Sequence, residues 1–295
     1  MMNHGLQVGR QGGRAQAVTT RFAPSPTGRL HLGHAYSAVL GRQLAGAGRF
    51  LLRIEDLDPT RSLPEFVDGI MDDLRWLGLC WDEPVLVQSE RACDYQKALR
   101  ALREMGLIYP CFCSRADIIA ALSAPHDATG HYPGTCRGQP DDVERRAGQP
   151  HSWRLDSERA IAVAGLPGWT ESDGRSFSAD PALIGDEILA RKDAPAAYHL
   201  ACIVDDAASG VTMVVRGVDL RSSTPVQRLL QTLLGLPEPR YHHHRLVTHH
   251  DGGRLAKRDR APTLAAMRAD GVDGQALAKQ LTTGFLPSGF RLSGT

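Results

Sequence analysis

Several things are scarce in this chain, and each scarcity removes a class of protein. Six cysteines are spread unevenly over 295 residues. That is not the dense spacing of a disulfide-stapled domain, and no secretory signal precedes them, so they read as reduced thiols in a cytosolic protein. No apolar run approaches the length of a membrane span, so no membrane partner is expected. Neither charge sign dominates, with 34 Lys and Arg against 33 Asp and Glu. A nucleic-acid partner must therefore be met by a local basic face. Residues 1–16 contain no acid, no serine and no apolar core segment and read as a flexible leader; the missing serine disfavours a transit peptide.

What remains is long enough for one large domain or two modest ones, with a monomer expected. The chain is organised around Arg21-Phe-Ala-Pro-Ser-Pro-Thr-Gly-Arg-Leu-His-Leu-Gly-His34. Before it, Ala17-Val-Thr-Thr20 reads as a short β-branched strand, and after it Ala35 to Leu44 repeats apolar residues at helical spacing. Between them lies a proline-bent turn whose helix-start amides and two imidazoles, His31 and His34, form an anion-binding corner. Arg49-Phe-Leu-Leu-Arg-Ile54 then suits a buried parallel strand ending in Glu55-Asp-Leu-Asp58, which completes a strand–helix–strand crossover. Ser62-Leu-Pro-Glu65 reads as a capping box opening a helix with Phe66, Ile70, Leu74 and Leu77 on one face. Ser89 is read as the cap of the next, with Tyr95, Leu99, Leu102 and Met105 as its stripe.

Cys111-Phe-Cys113 and Cys136 offer three thiolates to one tetrahedral ion, and zinc suits sulfur donors. From chemistry alone the fourth ligand is His131 or His126, since imidazole commonly accompanies thiolates. Cys80, Cys93 and Cys202 are expected to pack as small hydrophobes. Residues 137–150 read as a surface connection, and His151 to Leu155 and Glu187 to Arg191 as short strands.

Ala197 to Asp206 is apolar on one side and ends in acids, ahead of a strand Val211-Thr-Met-Val-Val215 and then Arg216. Thr224-Pro225 reads as an N-cap followed by proline at the first helical position. Tyr241 to Val247 is a strand candidate; of His242, His243 and His244, one imidazole is expected in a nucleotide pocket and the others in solvent, because neighbours on a strand face opposite ways. Arg254-Leu-Ala-Lys-Arg258 is a basic loop, followed by one short helical stretch around Gln275 to Leu281.

Pro24 to His34 resembles the signature of class I aminoacyl-tRNA synthetases in its glutamyl form, and the resemblance spans roughly residues 18–285. It implies an α/β fold: a Rossmann-type parallel sheet with first half 17–110, second half 193–295, and an inserted zinc-bearing subdomain, 111–192, facing the tRNA acceptor end. His31, Gly33, His34 and Lys257 would serve ATP, with Mg2+. Arg21, Phe22, Ala23, Pro24, Ser25, Glu55, Tyr198 and Arg216 would hold glutamate, Glu55 taking its ammonium group. Arg254-Leu-Ala-Lys257 departs from the family's Lys-Leu-Ser-Lys, which puts loop closure in question and leaves Lys257 as the mobile cation.

Cys111, Cys113, Tyr132 and Cys136 fit the Cys-x-Cys, Tyr-x-x-x-Cys pattern of glutamyl-queuosine tRNA(Asp) synthetases, which implies Tyr132 as the fourth zinc ligand. Discriminating glutamyl-tRNA synthetases continue into a helical anticodon-binding domain, whereas this sequence ends at Thr295, so the expectation is a catalytic half alone. Such enzymes make glutamyl-adenylate and transfer the glutamyl group to queuosine at the wobble position of tRNA(Asp). Two other readings stand beside it: a minimal or split glutamyl-tRNA synthetase charging tRNA(Glu), and a non-catalytic paralogue that binds tRNA or nucleotide.

Overall fold

The computed structural model describes residues 17–122, 132–253, 255 and 262–294. The leader, Arg254, Lys257, Arg258, His126 and His131 lie outside the described residues.

Strand β1 (Thr19–Phe22) runs through the proline turn into helix α1 (Leu32–Ala45), and β2 (Arg49–Ile54) returns beside β1. Helix α2 (Pro64–Trp76) crosses to β3 (Asp82–Val87). The three strands are parallel in the order β1-β2-β3, with Arg21 opposite Leu51 and Arg53 opposite Leu86. Parallel strands joined by helical crossovers bring their carboxyl ends to one edge.

Helix α3 (Ala92–Glu104) leads to β4 (Ile108–Cys111), α4 (Arg115–Leu122), α5 (Val143–Gly148), β5 (Ser152–Leu155) and α6 (Ser157–Ala164). A hairpin, β6 (Trp169–Thr170) with β7 (Ser176–Phe177), precedes β8 (Ile188–Ala190). Strands β4, β5 and β8 make a separate antiparallel sheet. Helix α7 (Tyr198–Ala208) then returns the chain to a parallel pair, β9 (Met213–Gly217) and β10 (Arg240–His244), joined by α8 (Thr224–Leu233).

This pair adjoins the first sheet at β1: the Thr212 amide donates to the Thr19 carbonyl, and the Thr19 amide to Thr212 Oγ1, each at 2.9 Å. The spatial order is thus β3-β2-β1-β9-β10, with the chain reversing direction of progress between β1 and β9, where open α/β sheets bind ligands. The chain ends in β11 (Val247–His249), α9 (Leu264–Ala269), α10 (Gly274–Thr282) and β12 (Phe290–Leu292).

Two main apolar cores flank this switch point. One joins Leu32, Val39, Phe50, Ile54, Ile70 and Leu74 to Leu264, Leu277 and Leu281, so the tail packs back on α1 and α2. The other gathers Tyr95, Leu102, Leu155, Leu189, Leu200 and Leu229. Among the described residues no helix is long and apolar enough to cross a membrane.

Local details differ from the sequence reading. No capping box forms at Ser62: Leu63 is the N-cap of α2, Pro64 takes the first helical position, and the Ser62 hydroxyl is buried without a partner. Ser89 lies in a short 3-10 turn, where its amide and hydroxyl bond Asp56, so it does not cap α3; Met105 is exposed. Ser223 is the N-cap of α8, and Thr224, one residue inside, turns its hydroxyl to Arg216. The tail holds α9 and β12 besides the helix expected, and Asp142 caps α5 within the stretch read as a plain connection. Cys80 and Cys93 are exposed rather than packed.

Candidate active site

Helix α1 opens with a capping box made of imidazoles. His31 is the N-cap, its Nδ1 accepts from the Gly33 amide at 3.1 Å, and His34 Nδ1 accepts from the His31 amide at 3.1 Å. An imidazole nitrogen that accepts an amide hydrogen carries no proton, so each neutral ring keeps its proton on Nε2, away from the helix backbone. The two rings lie 3.8 Å apart. A side chain at position 33 would meet His31 within 3.1 Å, which explains the glycine. The site therefore combines the positive end of a fourteen-residue helix with two Nε2–H groups.

These rings line a cleft of about 630 Å³ at the switch point. Its wall also includes Arg21, Phe22, Ala23, Pro24, Ser25 and Gly33 from the signature, and Glu55, Tyr198, Arg216 and His244 from four other elements. The sequence-predicted residues are thus brought together, apart from Lys257. Leu255 lines the cleft, 3.9 Å from where a side chain at Gly33 would begin, and the Leu264 amide bonds the Leu30 carbonyl at 2.9 Å. The described residues on either side of Lys257 therefore meet the start of α1.

Glu55 is placed by backbone pairing, its amide donating to the Pro24 carbonyl at 3.0 Å, and by Arg53, whose Nη2 lies 2.9 Å from Glu55 Oε1. Arg53 also pairs with Asp206 of α7, which accepts from Arg21 Nε at 3.0 Å. Burial alone pushes the Asp206 carboxyl up, but the Arg21 and Arg53 charges override it and hold it below the ordinary range. Arg21 reaches the cleft with its Nε on Asp206 and its Nη1 on the Val215 carbonyl. Cys202 is more than a packing residue: its thiol lies 3.4 Å from Glu55 Oε1.

Arg216 is 5% exposed, yet no carboxylate among the described residues pairs with it directly. Its Nε donates to His243 Nε2 (3.1 Å), Nη1 to Gln227 Oε1 (2.7 Å) and Nη2 to Thr224 Oγ1 (2.8 Å), all uncharged acceptors. Burial holds His243 neutral, its pKa lowered to about 4. Tyr198 lies among Arg216, Glu55 and Arg21, and burial pushes its phenol up.

Of the three consecutive histidines, His244 faces the cleft and bonds Ser37 Oγ at 2.8 Å. The others are not left in solvent. His243 is enclosed by Glu171 at 2.6 Å, and His242 bonds Ser172 Oγ at 2.7 Å, because the β6–β7 hairpin docks along β10. Sequence reasoning does not assign Arg53, Glu171, Thr224 or Gln227 to the site, and names Asp206 and His243 without their partners. The apolar run ending in Asp205 and Asp206 and the histidine triplet are the local signals for these two.

A second cluster forms beyond β4. The sulfurs of Cys111, Cys113 and Cys136 lie within 4.8 Å of one another, with 3.6 Å between Cys113 and Cys136. The Tyr132 hydroxyl is 3.4 Å from Cys111 and 3.3 Å from Cys113, and it accepts the Cys136 amide at 3.0 Å. A tetrahedron with metal–sulfur bonds of about 2.3 Å has edges of roughly 3.8 Å, slightly less where oxygen replaces sulfur. These four donors fit such an ion, and Arg154 stacks on the Tyr132 ring at 3.8 Å.

A family model described as tRNA synthetases class I (E and Q), catalytic domain, matches residues 17–290. A Glutamyl-Q tRNA(Asp) synthetase of Rhodobacter capsulatus is 46% identical, covering 86% of this chain and 96% of that one. One of Nocardia farcinica is 47% identical, covering 89% and 83%. Among solved structures, a glutamate tRNA ligase from Elizabethkingia meningosepticum in complex with its amino acid superposes with a TM-score of 0.75 at 26% identity, covering 90% of this chain and 60% of its own. The glutamate-tRNA synthetase of Elizabethkingia anophelis gives 0.77 at 25%, covering 92% and 63%. The chain thus spans less than two thirds of these two solved ligases. By its signature helix, its switch-point cleft and a match over most of its length, the chain belongs to the class I tRNA synthetases of the E and Q catalytic-domain family.

Proposed function

We propose that this protein activates L-glutamate with ATP and transfers the glutamyl group to queuosine in tRNA(Asp). The observation that carries the activation step is the charge pattern of the cleft. Arg21 and Arg53 are answered by Asp206 and Glu55, while Arg216 remains a buried cation in excess. A ligand with one ammonium group and two carboxylates, net negative, is the complement of that wall. Glu55 takes the ammonium group, Arg216 takes a carboxylate, and Tyr198 closes the side.

In activation, an α-carboxylate oxygen of glutamate bonds the α-phosphorus of ATP, and the bond to the pyrophosphate oxygen breaks. Negative charge builds on the phosphate oxygens as it does so. The Nε2–H donors of His31 and His34 and the helix start are preorganised for it, Lys257 would add a cation, and Mg2+, when bound, would supply further neutralisation of phosphate charge. A hydroxyl of queuosine then attacks the acyl carbon and AMP leaves. Support for this acceptor comes from the curated relatives named Glutamyl-Q tRNA(Asp) synthetase, which this chain matches at 42 to 47% identity. On this reading the protein works in the cytoplasm.

Cys111, Cys113, Cys136 and Tyr132 hold one zinc ion, which stiffens the inserted subdomain, 111–192, that faces the tRNA. Metal analysis of untagged protein is expected to find about one equivalent of zinc, lost in C111S/C113S; no zinc, or zinc retained in that variant, contradicts the site.

The function is tested by offering labelled glutamate, ATP and mixed tRNAs from cells with and without queuosine. Label is expected in tRNA(Asp) from queuosine-containing cells alone, and in its anticodon fragment after ribonuclease cleavage. Label on tRNA(Glu) that periodate abolishes would identify a charging enzyme instead.

A further inference from the structure

The hairpin β6–β7 reaches the amino-acid pocket without lining it. Glu171, 7% exposed, follows β6 and bridges to Tyr241 of β10. Its carboxylate accepts from Trp169 Nε1 at 3.1 Å, from the His243 amide at 3.2 Å and from His243 Nδ1 at 2.6 Å. A ring that donates from Nδ1 has its lone pair on Nε2, and that lone pair meets the Nε–H of Arg216 at 3.1 Å. Glu171 thus selects the one tautomer of His243 that can receive Arg216. This tautomer is opposite to that of His31 and His34.

The count of hydrogens on Arg216 shows what the arrangement leaves over. A guanidinium has five N–H donors in a rigid plane. His243, Gln227 and Thr224 take three of them, one each from Nε, Nη1 and Nη2. One donor remains on each Nη, on a guanidinium that lines the cleft. Since all three protein partners are neutral, the plane is fixed while the charge is left for the ligand.

We propose that Glu171 is a positioning residue for substrate recognition: through the neutral ring of His243 it sets the plane of Arg216 so that the two remaining N–H groups receive a substrate carboxylate. The inference rests on the reading of Arg216 as a substrate contact. It assigns an amino-acid-binding role to a hairpin that follows the cysteine-bearing segment in sequence. His243 carries orientation and no proton, because it stays neutral across the working pH range.

The test is glutamate-dependent ATP–pyrophosphate exchange in the full chain, comparing wild type with E171Q, H243Q, H243A and R216K. E171Q is expected to raise KM for glutamate about tenfold, the cost of weakening one charge-assisted hydrogen bond, with KM for ATP and kcat within twofold. H243Q, which keeps an acceptor for Arg216, is expected to be milder than H243A, and E171Q/H243A no worse than H243A alone. A KM for glutamate within twofold of wild type in E171Q, equal rises for glutamate and ATP, or additive losses in the double variant would overturn the relay. R216K separates the premise: if it leaves KM for glutamate unchanged, Arg216 is not a substrate contact. Nitrogen-15 imidazole spectra of wild type test the chain of bonds even if a variant fails to fold. A His243 signal, assigned by its loss in H243Q, with the proton on Nδ1 supports the relay, and one with the proton on Nε2 overturns it.

Discussion

The two ends of the cleft solve the problem of a buried charge in opposite ways. At one end Glu55, just beyond β2, is answered by Arg53 of that strand, Arg53 by Asp206, and Asp206 again by Arg21, so that the charges alternate and cancel. At the other, Arg216 is held by three neutral acceptors, and a carboxylate behind them, Glu171, acts through an imidazole. The compensated end stands without ligand. The uncompensated end keeps a cation desolvated, which costs several kcal/mol unless an anion arrives. Stability and affinity are therefore separable along a single sheet edge.

The sharpest way to break this contrast is to exchange the consequences. R216L is expected to lower kcat/KM for glutamate roughly a hundredfold to a thousandfold, the loss typical of removing one partner from a buried charge pair. The fold should survive it unharmed, since no protein carboxylate loses its cation; a large fall in melting temperature would show that Arg216 is compensated after all. D206N is the mirror experiment. It leaves Arg21 and Arg53 facing each other without their shared anion and is expected to cost about 3 kcal/mol of folding stability in denaturant titrations.

The same carboxylate gives the pH dependence its sign. Asp206 titrates lower in the folded state than in the unfolded chain. Its stabilisation is thus complete above the ordinary aspartate pKa, about 4, and is lost as pH falls below it. Acid unfolding should begin in that range in wild type and be shallower in D206N.

Smaller effects sharpen the picture. T224A removes one neutral acceptor and is expected to raise KM for glutamate about threefold to tenfold, within the range of a single hydrogen bond, leaving ATP untouched. Asp73 supplies a third kind of buried charge: both its oxygens lack a hydrogen bond, Arg268 stands 3.7 Å off, and burial raises its pKa to about 6. A raised carboxyl pKa means that stability falls as pH rises from about 4 to 6. D73N should then stabilise the protein by about 1 kcal/mol at pH 7.5 and by nothing measurable at pH 4.

Much of this was legible in the chain itself, and the limit has a physical origin. The signature turn, β2 and the group lining the cleft could be read because backbone pairing and local motifs place them: Glu55 follows Ile54 directly, and His31 and His34 sit one turn apart. The cysteine cluster was legible from donor type, Cys111 and Cys113 lying one residue apart and Cys136 23 residues further on. What escaped was contact at long range. Glu171 stands in a polar turn like any loop acid, and nothing local says that it meets His243, 72 residues later. Caps failed where a tertiary partner outbid the helix end, as when Asp56 took Ser89 and Arg216 took Thr224.

The central claim, that one cleft joins an anion-stabilising helix start to a pocket needing an anionic amino acid, is tested most directly by ATP–pyrophosphate exchange without tRNA. Glutamate alone among the amino acids is expected to support label entry into ATP, and glutamine at equal concentration to support none. Exchange that is equally fast with glutamine, or absent with every amino acid, would contradict it.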